Sequence, residues 1–142
     1  GRWKIAADAN FVGWSSYDSL RIDFADNTDK LKDIASAREY QNSWIARLGV
    51  QYQLVARVAV RAGCYFDKSP VQDGYLTPET PDANRIGITA GSTIVLGKNL
   101  ALDLSFLFVE GMERTDTNLE TQFSGTYKSR LVAPGFGLTY QF

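Results

Sequence analysis

The feature that most constrains this chain is a two-residue alternation of apolar and polar side chains, repeated in about seven segments. Successive side chains of a β-strand point to opposite faces, so each segment would have one apolar and one polar face. In the last segment the even-numbered residues from Val132 to Phe142 are bulky and apolar, and the residues between them are mostly small or polar. The same alternation begins upstream at Trp3, Leu20, Trp44, Val58, Ile86 and Leu100. It predicts an all-β protein of about seven antiparallel strands.

The composition of the polar face favours a membrane barrel over a soluble β-protein. A face that meets bulk water is usually rich in Lys and Glu, whereas this one carries mainly Gly, Thr, Ser, Gln and isolated Arg or Asp. Small and charge-paired residues suit the lumen of a transmembrane barrel. No run of 18 or more apolar residues occurs, so the sequence predicts no transmembrane helix. We expect residues 1–142 to form a single domain, an antiparallel up-and-down transmembrane β-barrel; a soluble ligand-binding β-barrel is the alternative.

Charge and residue usage exclude several functional classes. The formal net charge is −1, from 15 basic and 16 acidic residues, so no basic surface is available to neutralise the phosphates of a nucleic acid. The chain has no histidine and one cysteine, Cys64. Most zinc sites, a His-ligated haem and a Ser-His-Asp triad are therefore excluded within it. We expect no cofactor and no enzymatic activity, because no base or nucleophile is placed for catalysis.

The connections between segments differ in length, which predicts sidedness, since membrane barrels have short periplasmic turns and longer external loops. The predicted short turns are residues 15–19, 55–56 and 97–99, and the predicted long loops are residues 26–42, 68–84 and 111–123. Helical spacing of apolar residues predicts a short surface helix within residues 29–40. Two aromatic girdles are predicted: Trp14, Tyr17, Tyr52, Tyr140 and Phe142 at the short-turn ends, and Trp44, Phe66 and Phe108 toward the long-loop ends.

Charged residues of both signs fall on the predicted polar face. The candidate lumen-facing residues are Arg21, Asp23, Arg47, Arg61, Asp67 and Asp103. Mixed signs favour mutually paired side chains that shape the barrel, because a selective lining would carry one sign. A path that guides the head group of an amphipathic ligand is the alternative. Pro134 lies within the last segment and predicts a bulge or a locally unpaired position, because proline cannot donate to a strand ladder.

Two regions resemble outer-membrane proteins. The alternating end of the chain, with Gly135, Phe136, Leu138, Tyr140 and Phe142, resembles the C-terminal signal of outer-membrane barrels, which implies recognition by the barrel-assembly machinery. A proline-rich loop between two segments contains Ser69, Pro70, Val71, Thr77, Pro78, Pro81, Asp82 and Arg85. This loop, together with Trp3, Phe11, Trp14, Ser15 and Leu20, resembles the long-chain fatty acid transporter (FadL/TodX-like) family of outer-membrane proteins.

The resemblance implies that the chain is the C-terminal portion, about seven strands, of a barrel of about fourteen strands. It also implies a bacterial outer-membrane location and passive passage of hydrophobic small molecules such as long-chain fatty acids. In this family a plug and a lateral opening lie in the N-terminal half, so the high-affinity ligand site is not carried over to residues of this chain. The expected partners are a hydrophobic ligand, outer-membrane lipid and the assembly machinery. The alternative function is a binding or structural barrel whose surface loops contact other molecules.

Overall fold

A computed structural model describes all 142 residues and contains ten β-strands and one 3-10 turn. The six long strands are β1 (Trp3–Val12), β4 (Ser43–Val55), β5 (Val58–Asp67), β6 (Arg85–Val95), β7 (Leu100–Gly111) and β10 (Arg130–Tyr140). The four short strands are β2 (Ser19–Ile22), β3 (Ile34–Ala37), β8 (Arg114–Thr117) and β9 (Ser124–Tyr127). No helix in the structure is both long enough and apolar enough to cross a membrane.

The long strands form one antiparallel sheet in the order β1-β4-β5-β6-β7-β10. Each strand therefore pairs with the neighbouring long strand along the chain, as in an up-and-down barrel. The register is regular across the sheet, with one shift near Gln53, next to the β4–β5 turn. Strands β1 and β10 are the two edges and do not pair with each other, so the sheet is open. The predicted all-β antiparallel architecture is confirmed, with six long strands in the sheet where about seven were expected.

The missing seventh strand is the segment that begins near Leu20. Strand β2 pairs only with β3, and this hairpin stands apart from the six-stranded sheet. The helix predicted within residues 29–40 is wrong, because Ile34–Ala37 is the second strand of the hairpin. Asp33 lies in the loop between these two strands. Hydrogen bonds from the Asn27 side chain, which has the larger effect, and from the backbone N–H of Phe24 lower the pKa of its carboxyl group. The apolar residues of this segment therefore belong to a β-hairpin that is separate from the six-stranded sheet.

Because of this hairpin, the first connection is long and lies at the opposite end of the sheet from the one that the sequence predicted. Residues 13–42 form one long connection between β1 and β4, so the short turn predicted at residues 15–19 is wrong. Long connections at residues 13–42, 68–84 and 112–129 lie at one end of the sheet, and turns at residues 56–57 and 96–99 lie at the other. Trp14 and Tyr17 consequently lie at the long-loop end, where both rings contact Tyr40 edge-on. The remaining aromatic residues are at the predicted ends of their strands.

One face of the sheet is continuously apolar. The register places Phe11 opposite Trp44, Ala46 opposite Phe66, and Leu104 opposite Phe136, so apolar side chains adjoin one another from strand to strand. These side chains are exposed: Ile5 is 74% and Phe136 is 83% accessible. Only four hydrophobic residues, Ala59, Val71, Leu76 and Val109, are buried. Soluble proteins rarely leave such a surface to water, so we assign this apolar face to the lipid.

Pro134 does not interrupt the sheet on the side of β7. Gly111 donates to the Ser129 carbonyl and Gln141 donates to the Asn99 carbonyl, and both pairs share the register of β7 with β10. Backbone groups of odd-numbered residues in β10 therefore point toward β7, because hydrogen-bonded and non-hydrogen-bonded pairs alternate. Pro134 is even-numbered and lies opposite Phe106 without a shift in register. Of the two predicted alternatives, a bulge or a locally unpaired position, the bulge is absent, and the position that lacks an N–H falls on the open edge of β10.

Candidate functional site

The opposite face of the sheet, called here the inner face, would line the lumen of a closed barrel. Arg47, Arg61, Asp67 and Asp103 lie on this face, as their register pairs show. Arg47 forms a salt bridge of 2.7 Å between its Nη1 and the Asp8 Oδ1 of the neighbouring strand. The two opposite charges neutralise each other on the inner face.

Arg61 is held in a different way, by neutral side chains. Its Nε donates to Gln51 Oε1 at 2.9 Å, and its Nη1 donates to Thr93 Oγ1 at 2.8 Å. Thr93 in turn donates to the carboxylate of Asp103. No carboxylate oxygen lies within salt-bridge distance of Arg61 or of Lys4, which is opposite Gln51 on the edge strand. Arg61 is thus fixed in place by neutral partners.

A depression of about 460 Å³ lies on the inner face between the Arg47–Asp8 pair and the Arg61 row. Its floor is formed by Ala6, Gly49 and Gly63, with Thr89 at one side, and we call it the glycine trough. Adjacent residues Ala6, Gly49 and Gly63 carry little or no side chain, so the wall is thin at this level. The size is within the range of small-molecule sites, about 300–1,000 Å³.

Tyr65 covers the wall next to the glycine trough. Its ring lies over Gly87, the residue opposite it on β6, so closely that a Cβ at Gly87 would fall 1.9 Å from the Tyr65 Cε1. Only glycine leaves room for the ring in this position, because no real carbon atoms approach so closely. Gly87 therefore determines where the Tyr65 ring lies, and the ring borders the trough on the loop side.

Near the long loops the inner face carries an apolar patch on β7 and β10, next to the Asp67–Arg85 ion pair. Leu107, Val109 and Leu131 lie on this face and, with Tyr65, line a cavity of about 360 Å³. A second cavity of about 360 Å³ lies beneath the loops at the mouth of the sheet. Its lining contains the apolar and aromatic residues Val12, Trp14, Tyr40, Ile45 and Val71, together with polar residues that include Asp67, Asp82 and Arg85. We call this second cavity the mouth cleft.

Arg85 connects the proline-rich loop to the sheet at the mouth cleft. Its Nη2 lies 3.1 Å from Asp67 Oδ2 and 3.3 Å from Asp82 Oδ1. Asp82 also accepts a hydrogen bond of 2.8 Å from Ser69 Oγ, at the start of the loop. Asp82 and Arg85, three residues apart in the sequence, form an ion pair. Both carboxylate side chains are about one-fifth exposed, so this cluster fixes the two ends of the loop against one another.

A cluster that the sequence did not indicate holds the middle of the same loop. Asp116 of β8 accepts hydrogen bonds from the backbone N–H groups of Gly74 at 2.9 Å and Leu76 at 3.2 Å. Asn118 donates from its side chain to the Leu76 carbonyl at 3.2 Å, and Leu76 is only 2% exposed. Gly74 has a φ of 89°, a conformation that favours glycine. The loop is therefore tied to the β8–β9 hairpin.

Replacing Asp116 by alanine is expected to loosen this loop. The carboxylate accepts from two backbone donors, and a hydrogen bond to a charged group contributes about 1.5–3 kcal/mol. Because Asp116 is only half-buried, we expect a local loss of about 1–2 kcal/mol and faster cleavage between residues 72 and 80 in limited proteolysis. Asp73→Ala is the control, since its side chain is 96% exposed and forms only a surface ion pair with Arg114. Equal cleavage of both variants would contradict the assignment.

The structure separates two of the predicted lumen-facing residues from the rest. Arg21 lies in β2 and Asp23 follows it, so both belong to the β2–β3 hairpin outside the sheet. Arg21 and Asp23 are not part of the inner face, because the hairpin lies within the first long connection and does not pair with the sheet. Residues of the C-terminal motif lie on or directly after β10: Phe136, Leu138 and Tyr140 are on the apolar face, whereas Gly135 is on the inner face.

Comparison with known proteins agrees with this geometry. The sequence matches the family described as "Outer membrane protein transport protein (OMPP1/FadL/TodX)" over residues 1–142. The 47 kDa outer membrane protein of Pasteurella multocida (strain Pm70) is 26% identical over 141 residues, which cover 99% of this chain and 32% of that protein. The long-chain fatty acid transport protein of Escherichia coli (strain K12) is 22% identical over 139 residues, which cover 98% of this chain and 30% of that protein.

The fold is also similar to that of a solved barrel. The crystal structure of a Pseudomonas aeruginosa FadL homologue matches with a TM-score of 0.83 at 21% sequence identity, covering 98% of this chain and 32% of that chain. The chain spans about a third of the length of the curated relatives it matches. Since the family match extends over every residue, this chain belongs to the OMPP1/FadL/TodX family of outer-membrane transport proteins.

Proposed function

We propose that this chain forms part of the wall of a passive route for long-chain fatty acids and similar hydrophobic molecules across the outer membrane. The observation that carries the proposal is an apolar patch on the inner face near the long loops, on a wall that would be polar in a water-filled channel. Val109 and Leu131 lie opposite each other there, next to Leu107 and Tyr65. The transfer of an apolar molecule from lipid or detergent to such a surface costs little free energy, because the molecule stays in apolar surroundings.

The mouth cleft supports the proposal because it places apolar surface at the external end of the wall. Trp14 and Tyr40 come from the first long connection, and Val71 comes from the proline-rich loop. Gln41 donates from its backbone to the Pro70 carbonyl at 2.8 Å, which joins the two loops. A hydrophobic molecule arriving from outside would meet this cleft first and then the apolar part of the inner face.

The alternative of a soluble ligand-binding barrel does not fit the structure or the family. Its apolar face would be exposed to water, and Phe136 and Ile5 are among the most accessible residues of the sheet. The passage of a ligand along the inner face also requires no reacting group. The family consists of transport proteins, so the proposed function is transport without catalysis.

Uptake of radiolabelled hexadecanoate by proteoliposomes that contain the full-length protein tests the proposal. Ile45→Gln is the informative variant, since Ile45 lies on the inner face at the mouth cleft, between Asn10 and Asp67 in the register. We expect the rate to fall about threefold to tenfold, because roughly 1 kcal/mol of apolar contact is lost. Asn10→Gln is the matched control and should leave the rate unchanged. Absence of saturable hexadecanoate uptake by the unaltered protein would overturn the proposal.

A further inference from the structure

Three charged residues meet on the apolar face, at the end of the sheet that adjoins the long loops. Arg130 of β10 lies opposite Glu110 of β7, and both occupy even-numbered positions, as the apolar-face residues of these strands do. Arg130 donates to the Glu110 carboxylate from Nε at 2.7 Å and from Nη2 at 3.1 Å. Lys128 Nζ lies 3.7 Å from Glu110 Oε1. Two cations and one carboxylate are therefore in contact on the face that we assign to the lipid.

These contacts place the Arg130 guanidinium above β7, away from the open edge of the sheet. Its Cζ lies 5.8 Å from the centroid of the Phe108 ring, the next apolar residue of β7. Strand β7 is paired on both sides, with β6 and with β10. The neighbours of this cluster across the sheet, which include Ile86 opposite Glu110, are therefore residues of this chain.

The depth of the cluster matches the boundary between the hydrocarbon layer and the lipid head groups. Leu104 lies near the middle of β7, and Glu110 follows it toward the long loops. The strand between them spans about 20 Å, or about 15 Å across the membrane for a strand tilted by roughly 40°. The apolar band of a membrane barrel is about 25 Å tall, so its edge lies about 12 Å from the middle. The cluster thus lies just outside the hydrocarbon layer.

The arrangement suits an anionic head group whose acyl chains cover the apolar face. Glu110 engages the Nε and Nη2 groups of Arg130, so Nη1 lies on the side away from that carboxylate. The side chains of Arg130 and Lys128 are 62% and 53% exposed. A phosphate accepts charge-assisted hydrogen bonds from both kinds of cation. Directly below, Phe108 lies opposite Ile88 and provides the apolar surface for the acyl chains.

We propose that Arg130 and Lys128 bind the phosphate of a membrane lipid in the leaflet that adjoins the long loops, with the acyl chains of that lipid on the apolar face. Glu110 holds the two cations together at this site. The inference is independent of the molecule that passes along the inner face, because the lipid lies on the opposite face. Lys128 also borders a cavity with Pro81 and Asp82, so the bound head group would lie next to the proline-rich loop.

The test compares dioleoyl phosphatidic acid with dioleoylglycerol, which has the same acyl chains and no phosphate, in equilibrium binding to the full-length protein in neutral detergent. The double variant Lys128→Gln with Arg130→Gln should bind phosphatidic acid about tenfold more weakly and dioleoylglycerol as the unaltered protein does. Lys128→Gln alone leaves the Arg130–Glu110 pair intact and should weaken phosphatidic acid about threefold. Lys30→Gln, in the loop between β2 and β3, is the control and should change neither affinity.

Glu110→Gln distinguishes a lipid site from an ion pair that only stabilises the barrel. Glutamine removes the competing negative charge and keeps an acceptor for Arg130, so this variant should bind phosphatidic acid at least as tightly as the unaltered protein. A loss as large as that of the double variant would show that the cations serve only as partners of Glu110, and would overturn the proposal. Unchanged binding of phosphatidic acid by the double variant would also overturn it.

Inorganic phosphate provides the remaining arm of the experiment. At millimolar concentration it should displace little phosphatidic acid, because the acyl chains contribute most of the affinity. Complete displacement would show a site for free anions and not for a lipid. The heat-modified mobility of each variant in electrophoresis confirms that the barrel has folded.

Discussion

Replacing Leu104 by arginine is expected to lower the free energy of unfolding of the full-length protein by about 2–4 kcal/mol, the cost of a cation at the middle of a barrel's lipid face. Leu104 lies near the middle of β7, on the apolar face, opposite Ser92 and Phe136 on the two neighbouring strands. Its side chain is exposed in the structure, so the lipid is its principal surroundings. Equilibrium unfolding in vesicles of defined lipid composition measures the effect.

The neighbouring residue provides the control, because the strand turns it to the other face. Ser105 lies opposite Gly91 and Gly135, and these two glycines leave space for a longer side chain on the inner face. Ser105→Arg should therefore cost much less than Leu104→Arg, since the guanidinium can remain hydrated in the lumen. A difference of less than about 1 kcal/mol between the two variants would mean that the assignment of faces is wrong.

Gly87→Val should destabilise the barrel by about 1–3 kcal/mol, the usual cost of overpacking, although no charge is introduced. The Tyr65 ring occupies the space that a side chain at residue 87 would need, with ring atoms 1.9, 2.3 and 2.6 Å from an added Cβ. The ring must move, and its motion would carry it toward the glycine trough that it borders. Urea unfolding measures the loss of stability.

A second substitution identifies the cause. Tyr65→Ala removes the ring, so the double variant Gly87→Val with Tyr65→Ala should be more stable than the sum of the two single effects indicates. Ala90→Val is the matched control for adding a branched side chain to β6, because Ala90 lies on the apolar face opposite Ala62. Additive effects of the residue 65 and residue 87 substitutions would show that the ring is not the obstacle.

The alternation of the sequence was enough to predict the strands and their two faces. Six of the seven predicted segments are long strands of the sheet, because a period of two is the geometric property of any strand. The segment from Leu20 has the same period and yet pairs only with Ile34–Ala37. Local periodicity indicates that residues form a strand, but it contains no information about which other strand will be the partner.

In the proline-rich loop, too, local contacts follow from the sequence whereas long-range contacts depend on the tertiary structure. Asp82 and Arg85 are three positions apart in the sequence, so their pairing is a local contact. Nothing in the spacing indicated that Asp67 would join them, or that Asp116 would bind the backbone of Gly74 from a position 42 residues away. These contacts form only when the neighbouring loops are brought to one end of the sheet.

The sequence by itself determined that this protein is an antiparallel β-structure with one apolar face. Successive side chains of a strand point to opposite faces, so the face of each residue follows from its position in the strand. The tertiary structure decided which inner-face residues meet. Register placed Tyr65 over Gly87 and set Ala6, Gly49 and Gly63 side by side. Register arises from the pairing of strands far apart in sequence, and a shift of one residue would exchange the two faces.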